Sequence, residues 1–278
     1  MQLREKVRRR LGLQVLFDFD DACDAIRFCR EHGMGVLELN LGNLAFGRQL
    51  ARASQRRRIR ETARSNRVKL AVHAIEGPSF FIPSDRARRA AVADLKRLLD
   101  QAADTGIRNV VMHLGFEMYY GLGGESSFPH DIYPDYYRES LSRALRELKE
   151  HAKGRSRLCI ENVGGFRFPF VHEVMAKVLG GNLGLCLDVG HVFLLSREKR
   201  ERELGFFRRF RRRVFHSHLH DNNGVRDEHQ VPGRGRIRFL PMFRFLAETP
   251  SLLVFEVRPK EEALASLEYF ERRVAPRL

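Results

Sequence analysis

The segment 214–236 concentrates side chains of the kinds that bind metal ions. An apolar stretch leads into a loop that contains Asn and Gly, and the potential ligands are His216, His218, His220, Asp221, Asp227 and His229. Side chains alternate along a strand, so the three histidines that precede the loop would share one face. Two donors spaced as Asp-x-His within the loop could turn toward the same ion. The segment therefore predicts one wall of a metal site.

Residues of the same kinds follow several other apolar runs. In chain order the full set is His73, His113, Glu161, Asn162, Asp188, His191, His218, Asp227, His229 and Glu256. So many ionisable groups buried together would repel one another and lose their hydration unless a cation held them. Imidazole and carboxylate without thiolate suit zinc, manganese, cobalt or iron better than calcium. The expected cofactor is a divalent ion, with zinc or manganese preferred and cobalt, iron or magnesium as other choices.

Parallel strands separated by helices would bring these residues together. Strands are predicted over 13–17, 36–40, 68–73, 109–113, 157–162, 183–188, 214–219 and 252–257, and helices near 20–32, 50–66, 86–105, 135–153, 171–179, 198–212, 239–248 and 261–273. Eight such units suit a closed (β/α)8 TIM barrel, whose carboxyl strand ends form one rim. An open doubly wound sheet is the alternative, without any nucleotide-binding Gly-rich motif to support it. We expect a single domain over residues 1–278.

Charge and apolar patterning narrow the possible partners. The chain has 50 Lys and Arg against 35 Asp and Glu, a net charge of +15, which would attract phosphate on a sugar or on a nucleic acid. The arginines are nevertheless spread over several helices, as on a solvated surface. No apolar run reaches the roughly 20 residues that span a bilayer, and the basic, then apolar start lacks a signal-peptide cleavage pattern. The four cysteines form no CxxC pair. We expect a cytoplasmic protein without a membrane partner.

The longest stretch without periodicity is 115–134, which follows the fourth predicted strand. Loops of this length in compact domains are usually functional or mobile. Its glycines and aromatic residues could cover the mouth of a barrel and contact substrate. A plain surface excursion explains it equally well.

Six segments together resemble the xylose isomerase-like TIM-barrel superfamily. They are VHAIEG (72–77), VVMHLG (110–115), IENVGG (160–165), LCLDVGH (185–191), HLHDNNGVRDEHQVPGRG (218–235) and VFEV (254–257). The resemblance covers nearly the whole chain. This superfamily contains sugar and sugar-phosphate isomerases and epimerases, and also the endonuclease IV class of DNA repair enzymes (AP endonuclease family 2). The resemblance implies between one and three ions per chain, and it makes a homodimer an expectation.

The isomerase and epimerase branch implies one ion, held by Glu161, Asp188, His218 and Glu256. Glu161 and Glu256 would transfer the proton next to the substrate carbonyl while the metal stabilises an enediolate. The resemblance also implies that His191 orients a sugar or sugar phosphate. The other residues predicted to bind substrate are Asn162, Arg226 and Arg234.

The endonuclease IV branch implies three zinc ions and an abasic site in DNA as the substrate. Its nine ligands would be His73, His113, Glu161, Asp188, His191, His218, Asp227, His229 and Glu256, and all nine are present. The residues that such enzymes use to handle DNA match poorly, because no aromatic residue follows His73. Glu76, Glu117 and Glu228 near the mouth would repel phosphates unless they are paired or bound to metal. We therefore expect a metal-dependent sugar or sugar-phosphate isomerase or epimerase, with the phosphodiester hydrolase as the alternative.

Overall fold

Eight parallel strands close into a barrel in the computed structural model, which describes residues 3–278. The barrel strands are β1 Leu11–Val15, β2 Val36–Asn40, β3 Lys69–His73, β4 Ile107–Met112, β7 Arg157–Glu161, β8 Leu183–Asp188, β9 Val214–Leu219 and β10 Leu252–Phe255. Their order around the barrel is β1-β10-β9-β8-β7-β4-β3-β2. The predicted (β/α)8 TIM barrel is confirmed, and the open doubly wound sheet is wrong because β10 pairs with β1.

Helices follow the strands and cover the outside of the barrel. They are α1 Leu3–Arg8, α2 Ala22–Glu31, α3 Leu44–Ala51, α4 Ala53–Asn66, α5 Asp85–Thr105, α6 Pro129–Ile132, α7 Pro134–Ala152, α8 Pro169–Val178, α9 Val189–Phe193, α10 Arg197–Arg209, α11 Phe239–Ala247 and α12 Lys260–Tyr269. The single helix predicted over 50–66 is instead two, because Arg52 adopts an extended backbone between α3 and α4. Among the described residues, no helix is long and apolar enough to cross a membrane.

The first barrel strand lies two residues earlier than predicted. It begins at Leu11 and pairs with β2 from Gly12 opposite Val36. A Cβ at Gly12 would come within 1.8 Å of the Val36 carbonyl oxygen, so only glycine allows this close approach. The apolar start of the chain is therefore barrel wall, and α1 precedes it. Met1 and Gln2 of that start lie outside the described residues.

The stretch 115–134 contains regular structure that its sequence did not predict. A short antiparallel hairpin forms from β5 Tyr120–Leu122 and β6 Glu125–Ser127, and α6 follows it. The hairpin strands pair only with each other and not with the barrel. Exposed aromatic side chains, including Phe116 and Tyr119, lie in this segment.

The barrel interior changes from apolar to polar along the strands. On β2, Leu37 and Leu39 pack in the main hydrophobic core, whereas Val36 belongs to a small cluster of its own with residues of β3 and β10. Glu38 and Asn40, which share the face of Val36, are buried polar residues. The alternation of the strands therefore presents polar side chains to the barrel centre as the carboxyl ends approach. This polar upper layer is where the predicted ligands lie.

Candidate metal centre

Glu161, the last residue of β7, lies at the junction of the predicted ligands. Its Oε2 atom is 3.2 Å from Nε2 of both His73 and His113, and 3.4 Å from Nδ1 of His218. Its Oε1 atom is 3.3 Å from Nδ1 of His191. Glu161 is almost fully buried. One carboxylate therefore contacts imidazoles from four other strands or strand ends, and the first group of donors is His73, His113 and Glu161.

A second group surrounds His218, which points inward from β9. Its Nδ1 atom is 3.0 Å from Glu256, 3.4 Å from Glu161 and 3.7 Å from Asp188. These carboxylates come from β7, from β8 and from the residue that follows β10. The four residues that the isomerase branch implied as ligands thus meet around one point.

A third group lies where the loop after β9 folds back over the barrel. The Asp227 carboxylate is 3.0 Å from Nε2 of His191 and 3.3 Å from Nε2 of His229. His220 joins this group, with Nε2 3.0 Å from Asp188 and its ring stacked on that of His229 at 4.0 Å. The sequence placed His220 among the possible ligands of segment 214–236, but not in this group.

Local structure fixes the third group. Asp188 caps α9 by accepting a hydrogen bond from the His191 amide at 2.7 Å, which keeps these two donors adjacent. The buried Asp221 accepts hydrogen bonds from the amides of Gly233 and Ile237, and it pairs with Gln230 through the backbone. The loop that carries Asp227 and His229 is therefore held at both ends.

The donor set fits metal ions better than it fits a closed hydrogen-bond network. Two buried nitrogens, Nδ1 of His191 and Nδ1 of His220, have no hydrogen-bond partner among the described residues. Each nevertheless lies within 3.7 Å of a carboxylate oxygen. Buried polar atoms that face one another without a hydrogen bond are rare unless water or an ion lies between them. Imidazole and carboxylate are donors that zinc and manganese accept.

Electrostatics keep the carboxylates of the centre ionised. Burial opposes ionisation of Glu161, yet His218 and His113 outweigh it and hold the pKa of this carboxyl well below its usual range. Burial is similarly outweighed at Glu256, where His218 lowers the pKa to about 2. At His73 burial opposes the charged form, but Glu161 raises the pKa to about 9. Anionic oxygens are thus available to ions, which would displace the imidazole protons on binding.

Beneath the ligands lies a buried layer that sequence reasoning missed. Glu38 is 3.1 Å from Nε2 of His218 and 2.5 Å from Nε2 of His216, and Gln14 donates to it at 2.9 Å. Despite burial, the two imidazoles hold the pKa of Glu38 well below its usual range. A carboxylate on the far nitrogen of a metal-binding histidine fixes its tautomer and orientation. The alternation in VLELN (36–40) was the available signal, since it directs Glu38 away from the apolar face.

The predicted substrate-binding residues bond other groups or are exposed. Arg234 pairs with Glu262 of α12, and Arg226 is exposed on the loop. Asn162 is buried; its amide donates to Glu203 and to the Asp188 carbonyl, and its oxygen accepts from the Asp188 amide. These bonds join β7 to β8 and to α10. The assignment of these residues to substrate binding stays a prediction.

His191 faces carboxylates with both of its ring nitrogens, as a metal ligand would. Its role in orienting a substrate stays a prediction. Arg258 was not predicted. Its guanidinium is 3.3 Å from Glu256, it also bonds Gln14, and it is partly exposed. It brings a cation to the edge of the centre.

The three acidic residues that were expected to repel phosphate differ in their surroundings. The Glu117 side chain is buried against that of His130. Glu76 has a carboxylate oxygen within 4.8 Å of donor atoms of His73 and His113, where an ion could hold it. Glu228 accepts hydrogen bonds from the backbone and side chain of Asn223, which is neutral and does not offset its charge. Pairing or metal binding could thus remove the repulsion expected of Glu117 and Glu76, but not that of Glu228.

Comparison with known proteins agrees with this description. The model of the xylose isomerase-like TIM barrel family matches residues 26–273, and the chain belongs to that family. The uncharacterized protein MJ1614 of Methanocaldococcus jannaschii is 24% identical over 208 residues, which cover 72% of this chain and 74% of the relative.

Solved structures with the same fold include a D-tagatose 3-epimerase-like protein. It is 19% identical, with a TM-score of 0.73 and coverage of 94% of this chain and 95% of that one. Endonuclease IV of Thermus thermophilus is 20% identical, with a TM-score of 0.65 and coverage of 94% and 97%. Both branches that the sequence resembled therefore share this fold, and members of both are enzymes.

Proposed function

We propose that the protein is a metal-dependent phosphoesterase whose centre holds three divalent ions. The observation that carries this proposal is the division of the donors into three groups that share carboxylates. Glu161 belongs to the first and second groups, and Asp188 faces both the second and the third. A one-ion isomerase would use only the second group. It would leave the remaining buried histidines without a role to offset the free energy of burying them, and Asp227 without an ion to hold.

Two further observations support a phosphoester as substrate. Glu117 lies against His130, so its carboxylate is less exposed to an approaching phosphate than the sequence suggested. Arg258 lies beside Glu256 with part of its side chain exposed, where it could bind a phosphate oxygen through two N–H groups. The net charge of +15 would favour the approach of such an anion.

The chain's own residues would hold the ions and keep the reacting groups in place. Divalent ions in such a site supply positive charge that stabilises phosphoryl transfer to water. Glu161 and Asp188 would link neighbouring ions because each contacts donors of two groups. Glu38 would hold His218 in one orientation from below. Arg258 would orient the phosphoryl group at the edge.

Sugar isomerisation or epimerisation is the second candidate, and one observation favours it. Glu161 and Glu256 approach Nδ1 of His218 at 3.4 and 3.0 Å from different strands, as two proton-transferring carboxylates on either side of one ion would. The name of the epimerase-like neighbour agrees with this reaction, as that of endonuclease IV agrees with the first. For this candidate function the substrate would be a ketose or its phosphate.

Metal content and turnover together distinguish the candidates. Elemental analysis of tag-free protein should give close to three ions per chain, and about two in Asp227→Asn, because that change removes the anion shared by His191 and His229. Hydrolysis of bis(p-nitrophenyl) phosphate should fall about 100-fold or more in the same variant. The neighbouring Glu228→Gln is the matched control, since Glu228 bonds only within the loop.

The opposite pattern would reject the phosphoesterase. The isomerase would be supported by one ion per chain that Asp227→Asn retains. The protein would then exchange the α-proton of a ketose and would not hydrolyse the phosphodiester. That exchange should then be lost in Glu256→Gln.

A further inference from the structure

A second concentration of charge lies at the opposite end of the barrel from the metal centre. It is a cavity of about 530 Å3 whose lining includes six cations: Arg60, Arg64, Arg67, Lys69, Arg108 and Arg155. Lys69 is the first residue of β3, and His73 is the last. The four residue steps between them along the strand correspond to about 13 Å. The cavity is therefore distinct from the metal centre.

Most of these cations lack an anionic partner. Within residues 3–278, five of these cations form no ion pair: Arg60, Arg64, Arg67, Lys69 and Arg108. No carboxylate is among the residues that line the cavity. Arg155 pairs with Asp100 at 3.0 Å, whereas Arg60 donates only to a backbone carbonyl. Burial and the neighbouring Arg108 lower the pKa of Lys69. Burial is the larger cause, and the like charge of Arg108 adds to it.

Helix ends alone do not account for the cations. α4, α5 and α7 all end next to the cavity, and each carboxyl end carries roughly −0.5 of a charge. Three ends together supply about −1.5, which is well short of six cations. The six cations also line one concave space and not separate parts of the surface. Cavities of 300–1,000 Å3 are typical of small-ligand sites.

We propose that this cavity binds a small molecule that carries two or three linked phosphate groups. Five cations without an anionic partner match the charge of a diphosphate or triphosphate better than that of a single phosphate, which carries at most about two negative charges. One guanidinium group can bind two phosphate oxygens, and four of these five cations are arginines. The concave shape favours a compact ligand over a nucleic acid duplex. The site would act apart from the chemistry at the other end of the barrel.

Arg67 provides a variant that separates binding from folding. It ends α4 with φ of +59°, in the left-handed region that glycine adopts more readily than other residues. Arg67→Gly should therefore remove a cation without adding backbone strain. Arg108, exposed on β4, can be changed to Gln in the same chain. The matched control is Arg86→Gln with Arg89→Gln, which removes two exposed charges from α5 outside the cavity.

A calorimetric titration of the as-isolated protein with ADP tests the proposal. We expect binding that weakens at least tenfold in Arg67→Gly/Arg108→Gln and changes less than twofold in the control. Inorganic phosphate should bind more weakly than ADP, and triphosphate at least as tightly. If ADP binds at the metal centre instead, the two double variants will have equal affinity for ADP, and that result would overturn the proposal. Equal loss in the control, or binding of a DNA duplex but not of ADP through Arg67 and Arg108, would overturn it as well.

Discussion

Replacement of Glu38 by Gln tests whether the layer beneath the ligands sets the strength of the metal centre. Glu38 accepts from Gln14 and His218 through Oε1 and lies 2.5 Å from His216 through Oε2. An amide in its place has one acceptor and one donor. If its oxygen keeps the bonds to Gln14 and His218, its NH2 group faces Nε2 of His216. That histidine must then carry its proton on Nδ1, where the Asn109 amide already donates at 3.3 Å.

The other orientation of the amide is worse for metal binding. Its NH2 group would then face the Gln14 amide and Nε2 of His218, which would drive the His218 proton onto Nδ1. That nitrogen faces Glu161 and Glu256 and is the one available to an ion. Either way a buried donor is left unsatisfied, at a cost of about 1–3 kcal/mol in stability. For a chain of this size that lowers Tm by roughly 2–6 °C.

The expected effect on metal affinity is larger than on stability. Loss of an outer carboxylate that supports a ligating histidine typically weakens binding 10- to 100-fold, or about 1.4–2.7 kcal/mol. Competition with a chromophoric zinc chelator at pH 7 would measure it. The control is Glu203→Gln, a carboxylate that is also buried but bonds Asn162 and no histidine of the centre. Zinc affinity in Glu38→Gln within twofold of the wild type would refute the reasoning, and so would an equal loss in the control.

Two further predictions concern pH and packing. Burial raises the pKa of Glu203 to about 7. Because folding raises this pKa, the protonated carboxyl stabilises the fold relative to the unfolded chain, and it does so fully below about pH 4.3. This stabilisation is lost as the pH rises through 7. Glu203→Gln should therefore leave Tm unchanged at pH 4.5 and raise stability by up to roughly 3 kcal/mol at pH 8; an equal difference at both pH values in calorimetry would contradict this. A methyl group at Gly190 would lie 1.9 Å from the His220 ring. Gly190→Ala should therefore lose metal by elemental analysis, whereas Gly205→Ala, with open space around it, should retain all its ions.

Much of the fold could be predicted because its signals are local. The alternation of apolar runs with helical patterns depends on residues near one another in the chain, and all eight barrel strands form where it indicated, with shifts at the ends. The break at Arg52 and the hairpin after β4 escaped prediction. Neither has a periodic apolar pattern long enough to reveal it.

The candidate site could be predicted in composition but not in grouping. The polar residues predicted at strand ends include Glu161, Asp188, His218 and Glu256. A closed parallel barrel brings its carboxyl strand ends together, so these four residues were expected at one rim, where they lie. It could not show that the amide of Asn162 turns toward Glu203 of α10. Side-chain direction at a strand end depends on what packs behind it.

The sequence by itself determined the fold class and the chemistry of the ligands, because periodicity and residue type are properties of the chain. Only the tertiary structure decided which donors face one another and which acidic residues meet a histidine. Glu38 meets His218 across 180 residues of sequence, and Glu117 is paired by His130 of the following segment. Such contacts arise when the barrel closes and its loops fold inward. The division into three groups of donors, from which the phosphoesterase is proposed, is therefore a property of the assembled barrel alone.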